Sequence, residues 1–133
     1  MPEQRARASA ALLDAARSGR TSAARGLLHC VDVNCRGAAD GATPLTAAAA
    51  AGHAEVARFL LAAHADANLR GLENQTPLFL AARGGHRDVA RALLDAGADK
   101  RLANARGSAP IDVARTEEIW VMLASGRPAW RSC

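Results

Sequence analysis

The sequence predicts an all-α protein, an α-solenoid of about four stacked helix pairs. Two observations support this fold class. Pro44, Pro77 and Pro110 recur at one constant interval, and glycines, leucines and alanines follow the same period. Half of the 133 residues are hydrophobic but only 3% are aromatic, so alanine and leucine supply most of the apolar surface. Small side chains of this kind are typical of closely packed helices.

Three further series of residues share one register along the chain. They are Gly19, Gly52 and Gly85; Leu27, Leu60 and Leu93; and Ala15, Ala48, Ala81 and Ala114. Series that coincide at one period of about 33 residues indicate a repeat architecture. Neither helix of a unit can bury its apolar face alone, so we expect neighbouring units to cover it.

The two regular units begin in the same way. Thr43 and Thr76 are each followed by proline, which predicts an N-cap and a first helical residue. The first helices are expected over residues 44–51 and 77–84. A glycine follows each of them and ends it with a positive φ, after which a second helix completes the unit.

These motifs resemble the ankyrin repeat, whose signature contains T-P-L-H-x-A within a unit of about 33 residues. Residues 43–48 and 76–81 match it, except that Thr46 and Phe79 replace the histidine. The resemblance covers about residues 9–123, and the third unit is also similar to one repeat of Notch receptors. It implies a right-handed stack of helix pairs with projecting hairpin-like arms, and protein binding as the usual role.

The ends of the chain depart from the regular unit. The first unit lacks Thr-Pro, Gly37 is interpreted as an insertion, and the fourth unit is about four residues short after Ala114, so both ends are interpreted as caps. We expect an N-terminal extension (1–8), a repeat domain (9–124, with units at about 9–37, 38–70, 71–103 and 104–124) and a C-terminal tail (125–133).

No arrangement of residues predicts catalysis, a cofactor or a metal site. His29, Cys30 and Cys35 lie close together but lack the paired spacing of a zinc site. His53 and His86 are one unit apart and are expected to be structural, with ring nitrogens bonded to backbone carbonyls. Signatures of serine hydrolases, P-loops and dinucleotide sites are absent from the sequence. We therefore predict that the protein is not an enzyme.

Charge and cysteine content indicate the setting and the kind of partner. The formal net charge is +4, and only one of the 17 basic residues is lysine. Arginine favours forked contacts with carboxylates, so we expect a partner protein with an acidic patch. The three cysteines without paired spacing favour a cytoplasmic or nuclear location. No apolar run is long enough to span a membrane, and we expect no membrane contact.

The partner is expected on the concave surface that the resemblance implies, formed by arms and first helices. Leu72 lies in an arm where no periodic packing requires an apolar side chain. Trp130 either folds back over the last cap or anchors a partner, and Trp120 is expected to belong to that cap. The candidate contact residues are Arg17, Asp40, Ala50, Ala51, Arg70, Leu72, Glu73, Gln75, Arg83, Arg106 and Trp130.

The predicted function is protein–protein recognition without catalysis, as an adaptor, an inhibitor or an assembly factor. One alternative is a kinase-inhibitor-like ankyrin protein. Another is nucleic-acid binding through a ridge of Arg36, Arg70 and Arg106 on the arms. This alternative is disfavoured because single-strand binding normally adds stacking aromatic side chains. We expect a monomer, or weak self-association through the terminal cap.

Overall fold

The computed structural model describes residues 2–28, 31–37, 41–71 and 74–125, with side chains for residues 7–124 of those ranges. This part contains seven α-helices, one 3₁₀ helix and no strand, which confirms the all-α prediction. The helices are α1 (Pro2–Ser18), α2 (Thr21–Leu27), α3 (Pro44–Ala51), α4 (Ala54–Ala62), α5 (Pro77–Gly84), α6 (Arg87–Asp95) and α7 (Glu117–Ser125), and the 3₁₀ helix is Pro110–Val113.

The helices form two layers. The inner layer consists of α1, α3, α5 and the 3₁₀ helix, each packed on the next. The outer layer consists of α2, α4, α6 and α7, which also contact one another in that order. Each helix pair therefore touches only its neighbours, as expected for a solenoid. Helix α1 begins at Pro2, so most of the expected N-terminal extension is helical.

Local capping explains why α3 and α5 begin where the sequence predicts. The Thr43 hydroxyl accepts a hydrogen bond from the Thr46 backbone N–H at 3.1 Å, and the Thr46 hydroxyl accepts one from the Thr43 N–H at 2.8 Å. Thr46, which replaces the signature histidine, thus completes a capping box. Thr76 caps α5 through the Phe79 N–H at 3.1 Å. Both predicted ranges, 44–51 and 77–84, are confirmed.

A continuous apolar core runs between the layers. Leu45, Leu60, Leu78 and Leu93 are fully buried, and the core continues into the fourth unit through residues of α7. There the buried residues are Ile119 and Leu123, which cover the end of α6. Trp120 lies on this cap helix, as expected, but its side chain is 51% exposed and does not join the core. The helical period places Ile119 and Leu123 on the core side and Trp120 away from it.

Asparagine side chains tie successive units together. The Asn34 side-chain oxygen accepts a hydrogen bond from the Asp66 N–H at 2.9 Å. One unit later, the Asn68 oxygen accepts one from the Asp99 N–H at 2.7 Å. Arg101 occupies the next equivalent position and cannot accept such a bond. The series of asparagine links therefore ends at the third unit.

Candidate partner-binding surface

The last turns of the inner helices present four of the predicted contact residues. Arg17 on α1, Ala50 on α3 and Arg83 on α5 share one register position, and Ala51 follows Ala50. All four are exposed. Because α3 packs between α1 and α5, the two small alanines lie between two arginines. We call these four residues the inner row.

The histidines of the following units hold the inner row in place. Nε2 of His53 lies 3.0 Å from the Arg17 carbonyl oxygen, and Nε2 of His86 lies 3.2 Å from that of Ala50. A carbonyl oxygen only accepts, so Nε2 is the donor in both contacts. The expectation that these histidines are structural is confirmed. Each one fixes the distance between its own unit and the preceding inner helix.

Arg115 takes the place of a third histidine, a role that sequence reasoning missed. The imidazole of His86 lies against Gly52, and the side chain of Arg115 lies in the same way against Gly85. Its backbone N–H also donates to the Ala82 carbonyl at 3.0 Å. The sequence contained a signal for this role, because Arg115 follows His86 by one repeat period less the four residues that the fourth unit lacks. The shortened fourth unit is therefore joined to α5 by an arginine.

The two arginines of the inner row differ in their surroundings. Arg17 is 48% exposed, and its guanidinium lies 4.0 Å from the Asp14 carboxylate. An exposed pair of this length contributes at most about 1 kcal/mol. The Arg83 guanidinium lies 5.6 Å from the centre of the Phe79 ring, which orients it over the surface. Both guanidinium groups can therefore contact a carboxylate of a docked protein.

The arms are closed by equivalent backbone hydrogen bonds. The donor and acceptor pairs are Gly37 and Ala42 at 2.8 Å, Gly71 and Gln75 at 2.9 Å, and Asn104 and Ser108 at 2.9 Å. The first arm thus spans one residue more than the others, in agreement with the insertion expected near Gly37. Gln75 closes the second arm through its carbonyl and remains half-exposed.

The three arginines of the arms are not equivalent cations. Arg36 donates through Nη1 to the Gly41 carbonyl at 3.1 Å and to the Arg70 carbonyl, so it braces the first arm against the second. Arg70 itself is half-buried. Arg106 is exposed, with its N–H bonded to the Asn104 side chain at 2.9 Å. The bracing role of Arg36 was missed by sequence reasoning, and it weakens the case for a nucleic-acid ridge.

Four predicted contact residues, Asp40, Leu72, Glu73 and Trp130, lie outside the described residues. The structure therefore brings Arg17, Ala50, Ala51 and Arg83 together on the inner helices. It places Arg70, Gln75 and Arg106 on the arms.

Metal ligands, membrane-spanning helices and thiols are further features that could carry a function in the described part of the chain. No three His, Cys, Asp or Glu side chains converge there as metal ligands would. No helix in those ranges is long and apolar enough to cross a bilayer. Cys35 is a half-buried free thiol, and burial raises its pKa. A hydrogen bond from Ser9 acts in the opposite direction on that pKa but is the smaller effect.

Comparison with known families agrees with this geometry. A profile of ankyrin repeats matches residues 12–104 as three copies. The match covers more than half of the chain, which therefore belongs to the ankyrin-repeat family. A search of curated proteins finds no significant match. Ankyrin repeats are generally protein–protein interaction modules and typically lack catalytic activity.

Proposed function

We propose that this protein is a non-catalytic recognition module that binds an acidic segment of a partner protein on the inner row and the adjacent arms. Binding there would let it act as an adaptor, an inhibitor or an assembly factor. The observation that carries the proposal is the inner row itself. Two exposed arginines flank two exposed alanines on three packed helices.

The small side chains in the middle of the inner row favour close approach of a partner. Ala50 and Ala51 project only one methyl group each, so a backbone can lie directly over α3. Arg17 and Arg83 would then stand on either side of it and pair with its carboxylates. The His53 and His86 contacts keep this spacing fixed before binding, which lowers the entropy cost of association.

The charge distribution supports an acidic partner. The segment 1–28 contains five arginines against Glu3 and Asp14, a net charge of +3, whereas the whole chain carries +4. Most of the positive excess therefore lies in the segment that forms α1 and α2 and contributes Arg17. Such asymmetry speeds and orients the encounter with an acidic surface.

A paired pull-down from cell lysate tests the proposal. One bait carries Arg17→Glu and Arg83→Glu on the inner layer. A matched bait carries Arg7→Glu and Arg20→Glu, two exposed arginines outside the inner row, with the same change in charge. We expect a protein that the unmodified bait retains to be lost from the first variant and kept by the second. Circular dichroism verifies that both variants are folded.

An independent variant tests the steric part of the argument. Ala51→Trp places a large side chain on the exposed surface of α3 without touching the core, so melting should be unchanged while binding is blocked. If the partner is retained by both Ala51→Trp and the inner-row variant, the binding site lies elsewhere and the proposal is wrong. Loss from the Arg7→Glu/Arg20→Glu variant alone would also contradict it.

A further inference from the structure

A second row of arginines runs along the outer layer. Arg25, Arg58 and Arg91 recur at the period of the units, and each lies five residues after the N-cap of its helix, α2, α4 or α6. All three are exposed. Because α4 packs against both α2 and α6, the three positions lie on consecutive neighbouring helices.

The fourth unit continues the row with an apolar side chain. Thr116 is the N-cap of α7, because its hydroxyl accepts a hydrogen bond from the Ile119 N–H at 3.3 Å and its carbonyl accepts one from the Trp120 N–H at 3.0 Å. Five residues after Thr116 comes Val121, which is 51% exposed. We call Arg25, Arg58, Arg91 and Val121 the outer row. It consists of three cations followed by an apolar side chain.

The arginines of the outer row have no acidic partner within the part of the chain that the structure describes. The ion pairs there involve Arg17, Arg87 and Arg101 instead. Arg25 lies over the Phe59 ring at 5.5 Å, which orients its guanidinium without neutralising it.

The apolar end of the row adjoins a cleft between α6 and α7. Arg91, Val121 and Met122 line this cleft, together with the ion pair of Arg87 and Glu118 at 2.6 Å. Arginine and methionine, which meet in this cleft as Arg91 and Met122, are both enriched at protein interfaces. The outer row therefore offers both charge recognition and an apolar anchor.

The spacing of the outer row fits an α-helix. Packed helices are about 8–10 Å apart, so successive arginines are separated by roughly that distance. Residues i and i+7 of an α-helix lie on one face, about 10.5 Å apart. We propose that the outer layer binds a helix of a partner protein that carries acidic side chains seven residues apart and ends with an apolar side chain against Val121.

Acidic neighbours decide between a protein and a nucleic acid as the occupant. Glu55 lies one turn before Arg58, and Asp88 and Asp95 lie on either side of Arg91 in α6, all exposed. A nucleic-acid backbone carries a negative charge at every phosphate, and these phosphates would be repelled by the carboxylates. A protein helix can place carboxylates only opposite the arginines, and lysine or arginine opposite the acids. The mixed face therefore favours a protein.

A second copy of this chain fits the outer row less well. On the outer layer, α6 presents exposed Asp88 and Asp95 at the required seven-residue spacing. However, α6 has nine residues, or about 13 Å, whereas the three arginines span two helix spacings, or about 16–20 Å. A longer helix from another protein can engage all three.

Nuclear magnetic resonance with a defined peptide tests the proposal. The probe is a capped, alanine- and glutamine-based helical peptide with Glu at positions 3, 10 and 17 and Leu at position 24. A control peptide of identical composition has its middle Glu moved two residues, which turns it about 200° off the face. Titration into isotope-labelled protein should give saturable shifts at Arg25, Arg58, Arg91 and Val121, and the control peptide should bind at least tenfold more weakly.

Two variants localise the contact. Arg25→Gln, Arg58→Gln and Arg91→Gln together remove the charge while keeping a polar side chain, and should weaken the peptide at least tenfold. The matched variant carries Arg7→Gln, Arg20→Gln and Arg101→Gln, three exposed arginines outside both the outer row and the inner row, and should leave binding unchanged. Both variants are measured after their amide spectra establish that they are folded.

Several results would overturn the proposal. They are absence of binding, equal binding of the two peptides, equal loss in both variants, tighter binding of a 20-base-pair DNA duplex at the same residues, and dimerisation through α7 in sedimentation experiments. The inner row is tested separately, because the two rows lie on different helix layers and are altered by different variants.

Discussion

One added methyl group at Gly52 tests how firmly neighbouring units are joined. Gly52 has φ of 82°, in the left-handed region. A Cβ at this position would lie 2.5 Å from Nδ1 and 2.6 Å from Cε1 of His86. The same ring donates to the Ala50 carbonyl. The substitution Gly52→Ala therefore strains its own backbone and also forces the His86 ring away from the inner row.

The two costs can be separated with a matched glycine. The left-handed conformation disfavours alanine by about 1 kcal/mol. Losing the His86 hydrogen bond adds about 0.5–1.5 kcal/mol, so Gly52→Ala should lower the free energy of unfolding by about 2 kcal/mol or more. Gly97 has φ of 89° and no atom within 4 Å of a Cβ, so Gly97→Ala should cost only the first amount, about 1 kcal/mol.

Urea unfolding of these variants, together with His86→Ala and the double variant Gly52→Ala/His86→Ala, measures the coupling. Once the ring is absent, the methyl group has nothing to displace, so the double variant should be about 1 kcal/mol more stable than the sum of the single effects predicts. In thermal unfolding, each 1 kcal/mol corresponds to about 3–5 °C for a chain of this size. Equal costs for Gly52→Ala and Gly97→Ala, with additive effects in the cycle, would refute the reasoning.

Three further predictions concern the cap of a helix, the end of the stack and a thiol. Thr76→Ala removes the N-cap hydrogen bond of α5 and should lower the free energy of unfolding by about 1 kcal/mol in urea titrations. Ile119→Ala should cost about 2–4 kcal/mol because Ile119 is fully buried. Trp120→Ala should change stability by less than about 1 kcal/mol because half of its side chain is exposed, and a cost equal to that of Ile119→Ala would contradict this account of α7. Burial raises the pKa of Cys35, so a protein whose other cysteines are serine should react with iodoacetamide at pH 8 more slowly than a free cysteine does. Its rate should rise to the free value in urea, and equal rates in both conditions would show that the thiol is not protected.

Local signals explain how much of the fold could be predicted. The bounds of α3 and α5 follow from a threonine, a proline and a glycine that act within one short segment. The N-cap hydrogen bonds of Thr43 and Thr76 form between residues three apart, so no knowledge of the rest of the chain is needed. The roles of His53 and His86 were also predictable, because their recurrence at one period excludes a shared metal ion.

Features that depend on contact between units were harder to predict. Arg36 resembles a solvated charge in the sequence, yet it braces two arms, and its acceptors become visible only when the arms are placed side by side. Trp120 was expected in the cap and lies on its helix, but the 51% exposure of its side chain depends on how α7 packs against its neighbours. The shared period of the outer-row arginines was present in the sequence, but register alone does not show that these side chains are exposed and lack acidic partners.

The asparagine links make the molecule extensible by whole units. The Asn34 side-chain oxygen accepts a hydrogen bond from the turn of the next unit, and the Asn68 oxygen does the same one unit later. The unit at 38–70 thus makes the same hydrogen bond with both neighbours, through the Asp66 N–H on one side and the Asn68 oxygen on the other. Duplicating residues 38–70 in the gene would insert another such unit and lengthen both layers by about 10 Å, with the Asn68 link repeated between the two copies. Arg101 occupies the asparagine position of the third unit and cannot accept this hydrogen bond, so copies of that unit would not form the link.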